Sequence, residues 1–250
     1  MILHLDKRGG GTFLAAHVTD FESLGAARRW RRKARRRLPG VGELVFAKAM
    51  TAIGSSASAG FGAGAPDLRR QVLLTAWRRR AGFLEFGTDP LVAELNESAR
   101  YSWWVLFEIT SSHGSHVGAK PFAPGADTNG PFAALTLGRT RPRSLIRFLR
   151  EGARLGPIVR AAPGLVTAFS AGVPLSGNCT VSIWDSQESM VAFAYEDAAG
   201  HSATTRRVPP ILREQLNARM RVRDVDGNWG PETIHGERLE RLAKELAACR

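Results

Sequence analysis

Apolar residues along this chain fall into strand-like and helical runs, and the same succession of runs occurs twice. Gly11-Thr12-Phe13-Leu14-Ala15-Ala16 opens a continuous apolar stretch with strand character. Leu24, Ala27, Trp30, Ala34 and Leu38 then recur at three- and four-residue steps, which predicts an amphipathic helix over Glu22–Arg37. Pro39-Gly40 stops that helix, since proline cannot continue it and glycine accepts the left-handed turn that ends it. Strands follow at Glu43–Ile53 and Gln71–Trp77, then a helix carrying Phe86, then a closing strand at Tyr101–Thr110.

The second succession matches the first element by element. Gly130-Pro131-Phe132-Ala133-Ala134-Leu135 opens a strand, and a basic helix is predicted over Ser144–Arg160 with Leu145, Phe148, Leu149 and Leu155 on its apolar side. Pro163-Gly164 ends it, and strands follow at Leu165–Val173 and Asn178–Trp184. Both third strands end in Trp, and Phe193 follows Trp184 at the spacing by which Phe86 follows Trp77. Asn217–Asp224 closes the set. Each set therefore reads β-α-β-β-α-β. The expected fold is α+β, two tandem ferredoxin-like βαββαβ repeats of the dimeric α/β-barrel type. They span residues 11–112 and 130–230, with a linker at 113–129 and a helical tail at 231–250 striped by Ile234, Leu239, Leu242 and Leu246. Such a unit covers one sheet face with its own helices and needs a partner for the other. That partner is the second repeat or a second chain, so a homodimer stays open. The repeats differ mainly at Gly54–Pro66, a Gly/Ala/Ser-rich insertion that reads as a loop.

Charge changes this picture at one place. The 250 residues carry a net charge of +12, and eight of the ten positions Arg28–Arg37 are Arg or Lys. Because apolar residues keep their helical spacing through that run, a solvated basic face accounts for it. Peripheral contact with anionic lipid through residues 28–37, or with an acidic ligand, is the other use of such a face. No zinc finger, RNP-type aromatic motif or G-x-x-G clamp accompanies it, so nucleic acid is not an expected partner. No apolar run reaches the roughly 18 residues of a membrane span, and Met1–Gly11 lacks a signal-peptide core, so a cytoplasmic location is expected. Cys179 and Cys249 make neither a disulfide framework nor a metal cluster, and His113 with His116 in a Gly/Ser loop falls short of a zinc site. No P-loop, nucleophile elbow or dinucleotide fingerprint is present.

Several segments together resemble the spheroidene monooxygenase family, which oxidises carotenoids. They are Cys179-Thr180-Val181-Ser182-Ile183-Trp184, Met190, Phe193-Ala194-Tyr195, Gly200-His201 and Leu212–Val222. Lys120-Pro121-Phe122-Ala123-Pro124 and Gly130–Thr136 add to the likeness. It spans about Thr12 to Gly230 and is specific in the second repeat only. Arg206-Arg207-Val208-Pro209-Pro210 departs from it, because two prolines end any helix begun near His201. That departure puts a carotenoid substrate in doubt.

The resemblance implies a haem b-dependent monooxygenase that acts on an apolar or biosynthetic small molecule and needs dioxygen and an electron donor. On sequence alone His201 reads as a surface or capping residue; the family carries His at the matching position, which implies His201 as the axial iron ligand. One haem per chain, in the second repeat, is then expected. Arg206, Arg207, Arg213 and Arg219 are the cations nearest in sequence for its propionates, each otherwise an ordinary surface charge. Trp184 and Phe193 sit at core spacing and are the aromatic candidates for contact with the macrocycle. Ser182, on the same sheet face as Trp184, is a candidate distal hydroxyl. Haem-dependent dehydration or nitrogen–oxygen bond chemistry, and a cofactor-free oxygenase, are the alternatives on the same scaffold.

Overall fold

A computed structural model of the chain describes residues 11–53, 66–116, 122–125, 130–173, 177–196, 211–231 and 233–248. The first repeat consists of β1 (Phe13–Phe21), α1 (Leu24–Arg37), β2 (Leu44–Ile53), β3 (Pro66–Trp77), α2 (Arg80–Phe86), α3 (Pro90–Glu97) and β4 (Ala99–Ser115). The second consists of β5 (Phe132–Thr140), α4 (Leu145–Arg160), β6 (Leu165–Val173), β7 (Gly177–Trp184), α5 (Gln187–Val191) and β8 (Leu212–Asn228). A widened helical turn, Ala192–Glu196, continues α5, and α6 (Gly236–Ala248) ends the description.

Within each repeat the strands lie in the ferredoxin-like order, β2-β3-β1-β4 and β6-β7-β5-β8, all antiparallel. The two sheets join edge to edge into one closed eight-stranded barrel, β1-β3-β2-β6-β7-β5-β8-β4. Closure therefore takes place inside one chain. The two joins are unequal. β4 and β8 pair along most of their length, from Ser102↔Asn228 to Ser115↔Gln215. Among the described residues β2 and β6 pair only at Thr51↔Gly172 and Ala52↔Ala171.

Alternation along the strands sorts side chains into two compartments. Leu14, Ala16 and Val18 of β1 face inward with Val72, Leu74, Phe107, Leu135, Val181 and Met220, and fill the barrel. Leu239 and Leu242 of α6 belong to the same cluster, so the tail helix caps one end. At that end a half-open pocket of about 50 Å³ is lined by Asp20, Arg70, Thr167 and Trp103 among others. That is far below the ~300 Å³ of small-molecule pockets, so the interior is a packed core rather than a ligand tunnel.

Outward residues lie under the helices. Ser23 caps α1, its Oγ accepting the Ala26 N–H at 3.1 Å, and Arg35–Arg37 in the last turn suit the negative end of the helix dipole. Ala27, Trp30 and Ala34 are the buried stripe, and the Trp30 Nε1 donates to the Leu91 carbonyl oxygen at 3.1 Å. Part of the basic run is anchored: Arg31 donates to Thr51 Oγ1 at 2.8 Å, Lys33 pairs with Glu94, and Arg37 pairs with Asp89 at 3.1 Å. Arg28, Arg29, Arg32, Arg35 and Arg36 are exposed.

Three details differ from the sequence reading. β4 runs to Ser115, past the expected linker boundary, because β8 supplies a partner as far as Gln215. α3 was not anticipated, although Asp89 accepts the Leu91 N–H at 2.7 Å and Pro90 opens the first turn. Leu145 and Leu149, expected on the buried side of α4, are 40% and 39% exposed. Among the described residues no helix is long and apolar enough to cross a membrane.

Candidate active site

The internal duplication allows the two helix-covered sheet faces to be compared position by position. In the first repeat Ala15 of β1 faces Thr75 of β3 and Leu106 of β4, and His17 faces Leu73 and Trp104. In the second, Ala134 of β5 faces Ser182 of β7 and Arg219 of β8, and Thr136 faces Thr180 and Asn217. Four floor positions thus exchange His17, Leu73, Trp104 and Leu106 for Thr136, Thr180, Asn217 and Arg219. One floor is mostly apolar, the other polar, with smaller side chains everywhere but at Arg219.

The layers above the floors follow suit. Over the first, Trp30, Phe83, Phe86, Leu91 and Leu95 pack as one buried cluster with Leu73, Trp77 and Leu106. His17 is enclosed by it, with ring centroids 6.0 Å from Phe83 and 6.4 Å from Phe86. Burial lowers the His17 pKa from 6.5 to about 4, because the imidazolium would lose its water there. Over the second floor the described cluster is smaller: Phe132, Val159, Ala162, Leu165, Ala168, Trp184 and Met190, gathered at one end. Leu145 and Leu149 of α4 keep about two-fifths of their surface exposed, at 40% and 39%. A groove of about 610 Å³ between the end of α4 and α5 is lined by Ile158, Ala162, Pro163, Ala192 and Phe193.

Each predicted site residue can be placed in this frame. His201, Arg206 and Arg207 lie outside the described residues. Arg213 is exposed at the start of β8. Arg219 is half-buried on the floor, and its Nη2 donates to the Tyr195 hydroxyl at 3.4 Å. Trp184 is 1% exposed and its ring centroid is 5.0 Å from that of Phe193, so the two aromatics close one end of the floor. Trp184 Nε1 donates to Ser182 Oγ at 2.9 Å, and Trp77 Nε1 makes the same bond to Thr75 Oγ1 at 2.9 Å. The Ser182 hydroxyl therefore serves a buried indole in a contact that both repeats share. Arg221 lies over the Phe132 ring, 4.7 Å from its centroid, and donates to Gln187 Oε1 at 3.4 Å.

Sequence reasoning did not single out Thr136, Asn217 or Thr180, nor Tyr195 beside Arg219. Thr136 Oγ1 donates to Asn217 Oδ1 at 2.9 Å, so the floor holds fixed polar groups. Aligning the repeats strand by strand would have exposed the exchange, since the signal lies in the difference between halves. Among the described residues no group of three or more His, Cys, Asp or Glu side chains could hold a metal ion.

No family model matches the chain, and no curated protein sequence matches it. Solved structures do. An aldoxime dehydratase crystallised with butyraldoxime aligns with a TM-score of 0.54 at 12% identity, over 92% of this chain and 86% of that one. A second aldoxime dehydratase structure aligns at 0.54 and 11% identity, over 93% and 89%. A monooxygenase-like protein from Listeria innocua aligns over 83% of this chain and 94% of its own, at 12% identity and a TM-score of 0.29. These likenesses concern architecture. The chain has the α+β fold of the dimeric α/β-barrel type, with both halves in one polypeptide.

Proposed function

We propose that the chain is a haem-dependent oxidoreductase whose site is the helix-covered face of the second repeat. The observation that carries this reading is the exchange of floor residues between repeats: the first is packed shut with Leu73, Trp104 and Leu106, while the second presents Thr180, Asn217 and Arg219 beneath an α4 whose Leu145 and Leu149 remain exposed. A duplicated unit that keeps its frame and, among the described residues, carries less apolar filling over one floor is suited to holding a flat, largely apolar group there.

The described residues fit haem b in kind. Asn217 through its amide N–H and Arg219 through its guanidinium would supply hydrogen-bond donors from the strand side, with Thr136 Oγ1 holding the Asn217 amide in place. Arg219 also offers the guanidinium that a propionate pairs with. Leu145 and Leu149 of α4 with Phe193 supply apolar surface for the ring. His201 would hold the iron, following the family resemblance of the Gly200-His201 segment. Bound haem supplies one-electron and dioxygen chemistry. The chain's own part is to orient an apolar substrate against α4, exclude water, and hold a cation and hydroxyls where negative charge gathers. On this reading the reaction is a monooxygenation that consumes dioxygen and an electron donor, and the spheroidene monooxygenase likeness is its support.

A second reading is dehydration of a nitrogen–oxygen compound. The shared architecture with aldoxime dehydratases, one of them solved with butyraldoxime, favours it.

Haem titration followed by absorption tests the cofactor. Wild-type protein should give the Soret band of a histidine-ligated ferric haem, and His201→Ala should shift or lose it. Absence of any haem-dependent band in wild-type protein overturns the proposal, and an unchanged band in His201→Ala removes that residue. A requirement for dioxygen and reductant in turnover separates monooxygenation from dehydration, which needs no dioxygen.

A further inference from the structure

The long helices of the two repeats carry similar charge and differ in what they leave uncovered. α1 buries Ala26, Ala27, Trp30 and Ala34, and among the described residues it exposes no large apolar side chain. α4 buries only Gly156 and Val159, both near its carboxyl end, and residues 145–155 include none that is buried. Ile146 is 68% exposed, more than any other large apolar residue described, and Leu145 and Leu149 lie beside it.

Helical spacing sorts these residues into lines. Leu145, Leu149 and Gly156 share the line that turns toward the sheet, since Gly156 is buried against it. Ile146, Ala153 and Pro157 form the next line, and all three are exposed. Arg147, Arg150 and Arg154 run beside that line on the side away from the sheet, also exposed. Glu151 is the only acid of the helix, and its Oε2 is buried. Among the described residues none of these three arginines forms an ion pair, whereas α1 ties Lys33 to Glu94 and Arg37 to Asp89.

We infer that α4 docks the protein onto an anionic lipid surface. The helix lies in the plane of the bilayer, with Ile146, Ala153 and Pro157 entering the boundary between head groups and acyl chains, and Arg147, Arg150 and Arg154 pairing with lipid phosphates. Charge alone suggests residues 28–37 for such a contact; exposed apolar surface beside unpaired cations points to α4. A second copy of the chain fits this face poorly, because a twofold contact would bring the same arginines together. Single-stranded nucleic acid is held on aromatic platforms, and neither line offers one. Docking does not depend on haem. Its use rests on the haem reading, since it would set the helix-covered face of the second repeat against the phase in which an apolar substrate dissolves.

The test is flotation of the full chain with phosphatidylcholine vesicles, with and without phosphatidylglycerol. Wild-type protein should float with the anionic vesicles and stay behind with the neutral ones. Ile146→Ser should lower the affinity about tenfold, by removing one aliphatic side chain from the lipid, and its exposure in the free protein leaves folding undisturbed. Arg147→Gln combined with Arg150→Gln should lower it about thirtyfold, at about fivefold for each arginine near the surface. Arg29→Gln combined with Arg32→Gln removes the same charge from α1, which packs on β1, β2 and β3 rather than on β6, and should leave flotation nearly unchanged. Absence of wild-type binding to anionic vesicles overturns the inference. Equal losses from the α1 and α4 pairs overturn it as well, because net charge would then be the whole cause. Undiminished flotation of Ile146→Ser does the same, and heparin bound as tightly as the vesicles would then assign the face to a soluble polyanion. Soret absorption is read separately, so failure here and failure of the haem reading are distinguishable.

Discussion

His17 gives the most direct check on the packing of the first repeat. It sits in β1 against Phe83 and Phe86, 4% exposed, with Nδ1 unpartnered among the described residues, and burial alone lowers its pKa from 6.5 to about 4. The folded protein therefore prefers neutral imidazole more strongly than the unfolded chain does. Above the unfolded pKa of 6.5 that preference has no effect on stability. As pH falls below it the unfolded state takes up a proton that the folded state refuses, and stability drops until the folded pKa near 4 is passed. At about 1.4 kcal/mol per pKa unit the whole effect is roughly 3 kcal/mol, of which about 2 kcal/mol falls between about pH 7 and about pH 5. His17→Leu keeps the volume and removes the proton site. Urea unfolding followed by fluorescence of the buried Trp30, Trp77 and Trp184 measures both proteins across that interval. The wild-type free energy should fall by about 2 kcal/mol more than that of the variant, whatever the offset between them. Parallel curves would refute the reasoning, because they would mean that the imidazole is hydrated or paired in the folded chain.

The two indole bonds and Cys179 offer further checks. Thr75→Ala and Ser182→Ala each leave a buried indole N–H without its acceptor, and each should cost about 1–3 kcal/mol in urea unfolding; a neutral result in either repeat would show that the shared bond carries no stability. Burial pushes the Cys179 thiol up to about 12, so in a Cys249→Ser background it should resist alkylation near neutral pH until the chain unfolds. Rapid labelling of folded protein would contradict its place in the barrel core.

The duplicated frame could be read in advance because both copies carry the same local signals. Trp77 and Trp184 end equivalent strands, and a Pro-Gly pair follows each long helix. Both features survive as observed boundaries within a residue or two. α3 had its signal as well, in Asp89-Pro90 ahead of Leu91, Val92 and Leu95, and it was overlooked because the second repeat offers no counterpart in sequence. β4 beyond Thr110 had none: Ser111, Ser112, His113 and Gly114 lack strand alternation and are held extended by pairing with β8. The polar floor was half legible, since Ser182 and Arg219 were named while Thr136 and Asn217 acquire meaning only through register. How much of α4 stays uncovered, Ile146 above all, has no local signal. It depends on how the helix sits on the sheet once barrel closure has fixed the strands, which is a tertiary fact.

That closure within one polypeptide has an evolutionary side. In a barrel assembled from two identical chains, every substitution appears twice, and the structure separates on dilution. Covalent linkage removes both constraints: assembly becomes independent of concentration, and each half is free to mutate alone. One half can then serve as inert ballast while its sibling experiments with chemistry, and the exchange of Leu106 for Arg219 across the pseudo-twofold is the kind of divergence that only such a fused pair can record.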